Sequence, residues 1–326
     1  MQETMVERQL QQRQLAGDLG TLKAAFEATG SPRWIMDTII KQGLDVQHNF
    51  RLEIDYIDDL VKNGLQSGEA ALAQGSVDFI DTDWLSIARC RNQGMAIGAV
   101  FPYGRIMGGL VAPCDSGIGS LEHLRGKRIG VVRLQDKNWI IARAVCIRCH
   151  GFDPQEDAVV MEARSKTGLI QRLEQGEIDC AFVFWHLVPR LVATGRYRQV
   201  CDILDLLPAL GIDRCPTTFF TFRDAFIEQH PRLIRAFVAA YTAAVDLMRN
   251  SNEAWVEIRA SLLHGCDPVL LKALREKWES RVTTVWNEAM IADLHHLFDE
   301  IRRTGGTAAV GCDRIPAGTF TTAFMH

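Results

Sequence analysis

Four of the chain's seven tryptophans stand where a strand-like run gives way to a helix-like one: Trp34, Trp84, Trp139 and Trp185. Tyr103 follows the strand-like stretch 96–101 in the same way. Aromatic rings stack on a flat solute at little entropic cost, and each indole adds one N–H donor. Gathered in one place they would form a slot for a flat, partly apolar molecule. Near them in sequence lie Arg33, Lys137, Arg164 and Lys166, cations suited to a carboxylate, sulfonate or phosphate through charge-assisted hydrogen bonds. Asp83 and Asp136 suit pairing with those cations or with a ligand N–H, and His186, directly after Trp185, suits a hydrogen bond or a proton exchange. This set points to recognition rather than catalysis. His186 and Asp83 are the only candidate bases, and neither adjoins a plausible nucleophile in sequence.

Two other arrangements invite a cofactor and do not support one. Cys146-Ile147-Arg148-Cys149-His150 has the C-x-x-C-H spacing of covalent haem attachment. It falls inside a helix whose apolar positions 140, 141, 144, 145 and 147 make a core face, and no Met or second His has the setting of an axial ligand. His295 and His296 are neighbours rather than i, i+4, so their rings diverge and a chelate is not expected. The reading is therefore no cofactor and no metal.

The elements that would position the candidate residues come from a phrase used twice. Residues 71–84 (ALAQGSVDFIDTDW) and 172–186 (RLEQGEIDCAFVFWH) each run from a helix end through Gly and an acidic turn into a short apolar strand that stops near a Trp. Gly75 and Gly176 suit a left-handed helix end. The strands, 79–80 and 181–184, are too apolar to be half exposed and read as interior parallel strands. Two units with one ending imply two similar α/β lobes, with ligand held beyond the carboxyl ends of the strands, so that Asp81-Thr82-Asp83-Trp84 and Trp185-His186 are candidate walls of one cleft.

The rest of the chain fills in these lobes. Strands are expected at 19–28, 51–56, 79–82, 96–101 and 107–112, with helices at 34–42, 67–74 and 85–92 between them. A second unit follows with strands 128–132, 159–163 and 181–184 and helices 140–150, 167–175 and 187–193. The β-branched and aromatic run 216–223 looks like a strand returning to the first lobe, after which amphipathic helices dominate from 231 to 303 and a Gly- and Thr-rich tail ends the fold. The division is a polar lead-in at 1–17, lobe I from 18–110 and 220–326, and lobe II from 111–219. Two crossovers between lobes would act as a hinge.

At 326 residues two domains are the natural prior. A 47% hydrophobic content supports real cores, while 23% charged residues and a net charge of −4 give no excess for a polyanion, so nucleic acid is not an expected partner. No apolar run reaches membrane-spanning length, and the opening MQETMVERQLQQRQLAGDLG is charged and Gln-rich where a signal peptide would be apolar. Nine cysteines in mostly apolar contexts read as reduced, buried small hydrophobes.

The serial order of phrases resembles the type II periplasmic solute-binding proteins of ABC importers, in the branch that includes binders of aliphatic sulfonates, taurine, nitrate and thiamine-pyrimidine precursors. The carriers are KQGLDVQ at 41–47, SGEAALAQGSVDF at 67–79, SGIGSLEHLRGKRIGV at 116–131, GLIQRLEQGEIDCAFVF at 168–184 and HPRLIRAFVAAYTAAVDLM at 230–248. The resemblance implies a two-lobed α/β fold, each lobe a mixed, mostly parallel sheet flanked by helices, closing on one small molecule. Mapped onto this chain, the implied contacts from lobe I are Ser31, Arg33, Trp34, Ser67, Gly68, Thr82, Asp83, Trp84 and Tyr103. Those from lobe II are Asp136, Lys137, Asn138, Trp139, Arg164, Trp185 and His186. The implied partners are a small flat or anionic organic ligand and, if the protein is exported, an ABC permease; a monomer is expected. The resemblance implies a periplasmic location, whereas the missing export signal and the nine cysteines leave the cytoplasm open. The alternative is a cytosolic enzyme on the same fold, pyrimidine-synthase-like or desulfinase-like, against which stand a Gly30-Ser31-Pro32 loop without a cysteine nucleophile and the lack of a Cys-rich iron-binding cluster.

Overall fold

Two five-stranded sheets of the same connectivity carry the fold, which is a computed structural model describing residues 19–62, 65–212 and 215–325. The lead-in expected at 1–17 lies outside the described residues. β1 (Thr21–Glu27) and β2 (Arg51–Ile57) begin the first sheet, and a small hairpin of β3 (Val61–Lys62) and β4 (Leu65–Gln66) follows. β5 (Phe79–Asp83) and β6 (Ile97–Gly104) rejoin the first sheet. β7 (Gly109–Pro113), β8 (Arg128–Val131), β9 (Val159–Glu162), β10 (Cys180–Val183) and β11 (Tyr197–Asp202) make the second, and β12 (Thr218–Arg223) returns to the first. The orders are β2-β1-β5-β12-β6 and, reversed for comparison, β9-β8-β10-β7-β11. In each sheet one strand runs antiparallel to its two neighbours: β12 in the first and β7 in the second. These are the strands by which the chain enters the sheet from the other one.

The doubled phrase of the sequence has one structural role in both copies. Gly75 and Gly176 close their helices at φ 74° and 69°, in the left-handed region. Asp78 then takes the Lys23 N–H on its carboxylate at 2.9 Å, and Asp179 takes the Arg128 N–H at 2.7 Å. Each acid thus pins the start of its own strand to the neighbouring parallel strand, at the sheet end remote from the carboxyl termini.

The stretch expected as a strand at 107–112 belongs to the second sheet, because Leu110 and Val111 pair with Phe182 and Ala181 of β10. The crossing is therefore only the segment 105–108, and glycines flank it for steric reasons. A Cβ on Gly104 would lie 2.2 Å from the Arg281 carbonyl oxygen, and one on Gly108 would lie 1.7 Å from that of Val183. Asn138 Oδ1 accepts the Gly108 N–H at 2.7 Å and holds the crossing against the second sheet's unit.

The C-terminal helices do not stay with the first sheet. Asp202, at the end of β11, is paired with Lys277 at 3.0 Å and with Arg281. The helix Glu288–Val310, broken at Gly306 (φ 72°), pairs Glu300 with Arg148 of the helix Lys137–His150. The tail adds to the first sheet: Ala99 N–H donates to Thr319 O at 2.8 Å and Thr321 N–H to Ala99 O at 3.0 Å. None of the helices among the described residues is long and apolar enough to cross a membrane.

Candidate functional site

Several helices start around one gap, and four of these starts are capped by a side chain. Asp83 caps Trp84–Asn92 through the Ser86 N–H at 2.9 Å, and Asp136 caps Lys137–His150 through the Asn138 N–H at 2.8 Å. Ser165 caps Lys166–Glu174, and Gln66 with Glu69 forms a capping box on Ser67–Gln74. These carboxylates and hydroxyls answer N–H groups that would otherwise be available to an anion. The gap itself is a cavity at the carboxyl ends of β1, β5 and β10, with about 730 Å³ of empty space counted out to its open side.

The two sheets' units are joined across it by side chains. Arg133, from the second, is almost fully buried and reaches Ser86 Oγ at 2.9 Å, Asp83 at 3.6 Å and Glu69 at 3.7 Å, all on the first. Burial opposes ionisation of Asp83, but Lys137, Arg89 and Arg133 outweigh it and hold the carboxyl below its usual range. Lys166, also buried, pairs with Glu27 and lies 4.0 Å from Asp59, whose carboxylate takes the Lys166 N–H at 2.8 Å. Burial works against the Lys166 charge; Glu27 and Asp59 more than compensate and raise its pKa. Trp185 Nε1 donates to Ser31 Oγ at 3.1 Å, and the Tyr103 hydroxyl meets the same Ser31 oxygen at 3.1 Å.

Once these internal pairings are taken away, two polar groups on the wall have buried atoms with no hydrogen bond among the described residues, and a cation and an acid stand beside them. His186 is buried with both ring nitrogens unpartnered, and burial first, then Lys166 and Arg190, hold it neutral with a pKa well below 6.5. Thr218 Oγ1 is buried and unpartnered as well. Lys137, only 6% exposed, and Asp81 line the cavity. Asp81 is pushed up to about 7, mainly by burial and then by Glu27, with Lys166 and Lys137 pulling the other way. A cation, a carboxyl group, a neutral imidazole and a hydroxyl therefore line one cavity, the last two without internal partners among the described residues.

Of the residues expected from sequence, the cavity wall includes Ser31, Gly68, Thr82, Asp83, Asp136, Lys137, Trp185 and His186. Eight others lie outside the wall. Trp84 and Trp139 are core side chains, Trp139 packed on Phe182 at 5.6 Å. Trp34 is buried edge-on between Trp185 (5.4 Å) and Trp255 (5.9 Å). Tyr103 reaches the site only through Ser31. Arg33 lies over the Tyr56 ring and donates to the Ala28 carbonyl, and Ser67 donates to the Leu60 carbonyl. Asn138 holds the crossover, and Arg164 turns the chain at φ 60°, its carbonyl accepting the Val61 N–H. The expected slot of indoles thus does not form: an indole at a strand-to-helix turn buries more area against its own sheet than it would at an open rim.

The wall also holds Glu27 and Thr218, which sequence reasoning missed, Asp81, read there as part of a candidate wall without a role of its own, and Lys166, read there only as one of several cations. Asp81 lies inside the doubled phrase, as an acid in an otherwise apolar strand, and that is the signal that placed it there. Among the described residues no group of three or more His, Cys, Asp and Glu is placed to hold a metal. All nine cysteines are free, and burial pushes the thiols of Cys90, Cys146, Cys180 and Cys215 up to about 12.

Comparison with known proteins bears on both fold and family. The chain is similar in structure to the alkanesulfonate-binding protein SsuA from Xanthomonas axonopodis pv. citri bound to MOPS, at 13% identity and a TM-score of 0.72 over 94% of this chain and 99% of that one. The periplasmic aliphatic sulphonate binding protein SsuA from Escherichia coli gives 13% identity and a TM-score of 0.72 over 93% and 92%. A Candida albicans protein described as defining a new family with the generic periplasmic binding protein fold gives 14% and 0.65 over 94% and 97%. These likenesses establish the periplasmic-binding-protein fold. No curated protein sequence matches the chain significantly. The family profile described as NMT1/THI5 like matches residues 54–254, well over half of the 326 residues. The chain belongs to the NMT1/THI5-like family.

Proposed function

We propose that the chain is the solute-binding component of an ABC-type importer, holding one small organic anion between two lobes that close by hinge motion. The observation that carries this reading is the cavity at the strand ends, whose wall holds the buried Lys137 together with His186 and Thr218, the latter two without internal partners among the described residues. Unpaired polar groups cost free energy when buried, and a ligand that pairs them recovers it. A carboxylate or sulfonate at Lys137 would gain a charge-assisted hydrogen bond in a site shielded from water. Ser31, Gly68, Thr82, Asp83, Asp136, Trp185 and His186 complete the proposed wall.

The hinge would be the segment 105–108 and the return before β12, with lobes I and II divided there. Arg133 and Lys166 act as latches, because opening the cleft would part them from Glu69, Asp83, Ser86, Glu27 and Asp59. The fold's sulfonate-binding relatives support the ligand class and, with it, a permease partner and a periplasmic location. Thermal-shift screening against small sulfonates, carboxylates and heterocyclic acids, with native mass spectrometry of each hit, tests the reading. One solute per chain, recovered chemically unchanged, supports it; turnover of the solute, or no binder at millimolar concentration, refutes it.

A further inference from the structure

We propose that the chain carries a second binding site, apart from the large cavity, for a small oxyanion of the phosphate, sulfate or carboxylate kind. Arg190 is its main contact, with Arg33 and His264 beside it. The proposal does not rest on what the large cavity holds.

A second cavity lies behind the loop that follows β1, with about 640 Å³ of empty space counted out to its open side. Its wall draws on three separate parts of the chain. These are the loop at Gly30 with Arg33 of the helix Pro32–Lys41, Arg190 of the helix Val188–Ala193, and the turn carrying Ser261 and His264. Gly30 lines the large cavity too, so the two spaces are neighbours. Their charges differ. The large cavity is lined by five acids and two lysines, and most of those charges are answered from within. The second wall has two arginines, a histidine and no acid.

Arg190 is the charge that the fold leaves unanswered. It is half-buried and has no hydrogen bond or ion pair among the described residues. Burial lowers its pKa, and the group that opposes this is the Cys266 thiol rather than a carboxylate. A lysine in such a place could shed its proton, but a guanidinium stays charged. Taking a cation out of water without a counter-ion costs free energy, and an anion from solution recovers it. Arg33 is partly committed, donating to the Ala28 carbonyl at 3.0 Å and standing 3.5 Å from Asp37, so it adds positive potential more than open donors. His264 sits in an exposed turn at φ 51° and adds charge when protonated. An oxyanion matches this wall because its oxygens accept the guanidinium fork; a cation would be repelled.

Arg190 follows β10 of the second sheet, whereas Gly30 and Arg33 follow β1 of the first. A bound anion would therefore be shared between the two units, on the far side of the Gly30 loop from the large cavity.

Calorimetric titration of the intact protein with sodium phosphate, sodium sulfate and sodium acetate, at an ionic strength held constant with sodium chloride, tests the site. At least one of the three is expected to bind saturably. Arg190→Gln should weaken that anion by about 10-fold or more, the scale of one charge-assisted contact in a partly shielded place. Ser261→Glu, at an exposed position on the same wall, should weaken it as well by supplying negative charge from within, and it decides the matter if Arg190→Gln folds poorly. Lys137→Met, in the large cavity, should leave the affinity within about 3-fold. Binding of none of the three at tens of millimolar, or equal binding by wild type and the wall variants, overturns the inference. Binding lost in Lys137→Met and kept in Arg190→Gln assigns the anion to the large cavity, which overturns this inference and leaves the solute-binding reading standing.

Discussion

Asp81→Asn should make the ligand-free protein more stable at alkaline pH, with an advantage that shrinks as the pH falls. The carboxyl of Asp81 has its pKa raised from an ordinary 3.8 to about 7 in the folded chain, chiefly by burial. Because the folded state holds the proton more tightly than the unfolded one, stability from this group is fully present below the unfolded pKa. It is lost progressively as pH rises from about 4 to about 7. The shift is about 3 pKa units, or about 4 kcal/mol at 1.36 kcal/mol per unit. Relaxation of the site and a higher effective dielectric reduce this to roughly 2 kcal/mol at pH 8. Asparagine cannot ionise, so the variant escapes the loss. Urea unfolding of both proteins at pH 8 and pH 5 measures the difference, and carboxyls elsewhere, such as Asp59, titrate in both and cancel. The variant should exceed the wild type by roughly 2 kcal/mol at pH 8 and by under about 1 kcal/mol at pH 5. An advantage that is independent of pH, or a variant less stable at pH 8, would refute the claim that Asp81 is held ionised at a cost. Such a cost at a buried wall group is what a binding site carries at the expense of stability.

Two further substitutions separate frame from site. Arg133→Met leaves Glu69 and Asp83 buried without their guanidinium, and thermal unfolding at pH 7 should register a loss of about 3–5 kcal/mol, since breaking one side of a buried pair strands the other. Trp185→Ala removes a fully buried indole and its bond to Ser31, and chemical denaturation should show a loss of about 3–5 kcal/mol. A loss under about 1 kcal/mol for Trp185→Ala would return the ring to the role of an exposed stacking wall.

Much of the architecture was legible because it is written in local chemistry. The Gly75–Asp78 and Gly176–Asp179 turns announced two equivalent units, and the structure uses both acids for the same strand-pinning bond. The register of 107–112 was not legible, since an apolar run carries no mark of which sheet it will join; the pairing of Val111 with Ala181 decides that. The C-terminal helices likewise read as an amphipathic series, and only the Arg148 and Asp202 ion pairs reveal that they lean on both units. Lys137, Asp83, Trp185 and His186, expected from their places at strand ends, do line the cavity. The indoles Trp84 and Trp139 misled, because sequence places a side chain at a turn without saying whether it points to the rim or to the core. Glu27 escaped notice because an acid at the end of a strand looks like a solvated terminus until Lys166 is brought to it from 139 residues away.

The central claim is that a solute is gripped inside this cavity, with Lys137 as its anion clamp. Calorimetric titration of the best ligand into wild type and Lys137→Met, with thermal unfolding of both as a check on folding, tests it most directly. Lys137 is first among the charges that hold the buried Asp83 carboxyl ionised, so its loss should also lower the unfolding temperature, and affinities are compared where both proteins remain folded. Affinity should fall by about 100-fold, the scale of a charge-assisted contact made in a shielded site. Equal affinity in the two proteins would contradict the account, because the ligand would then be bound somewhere else.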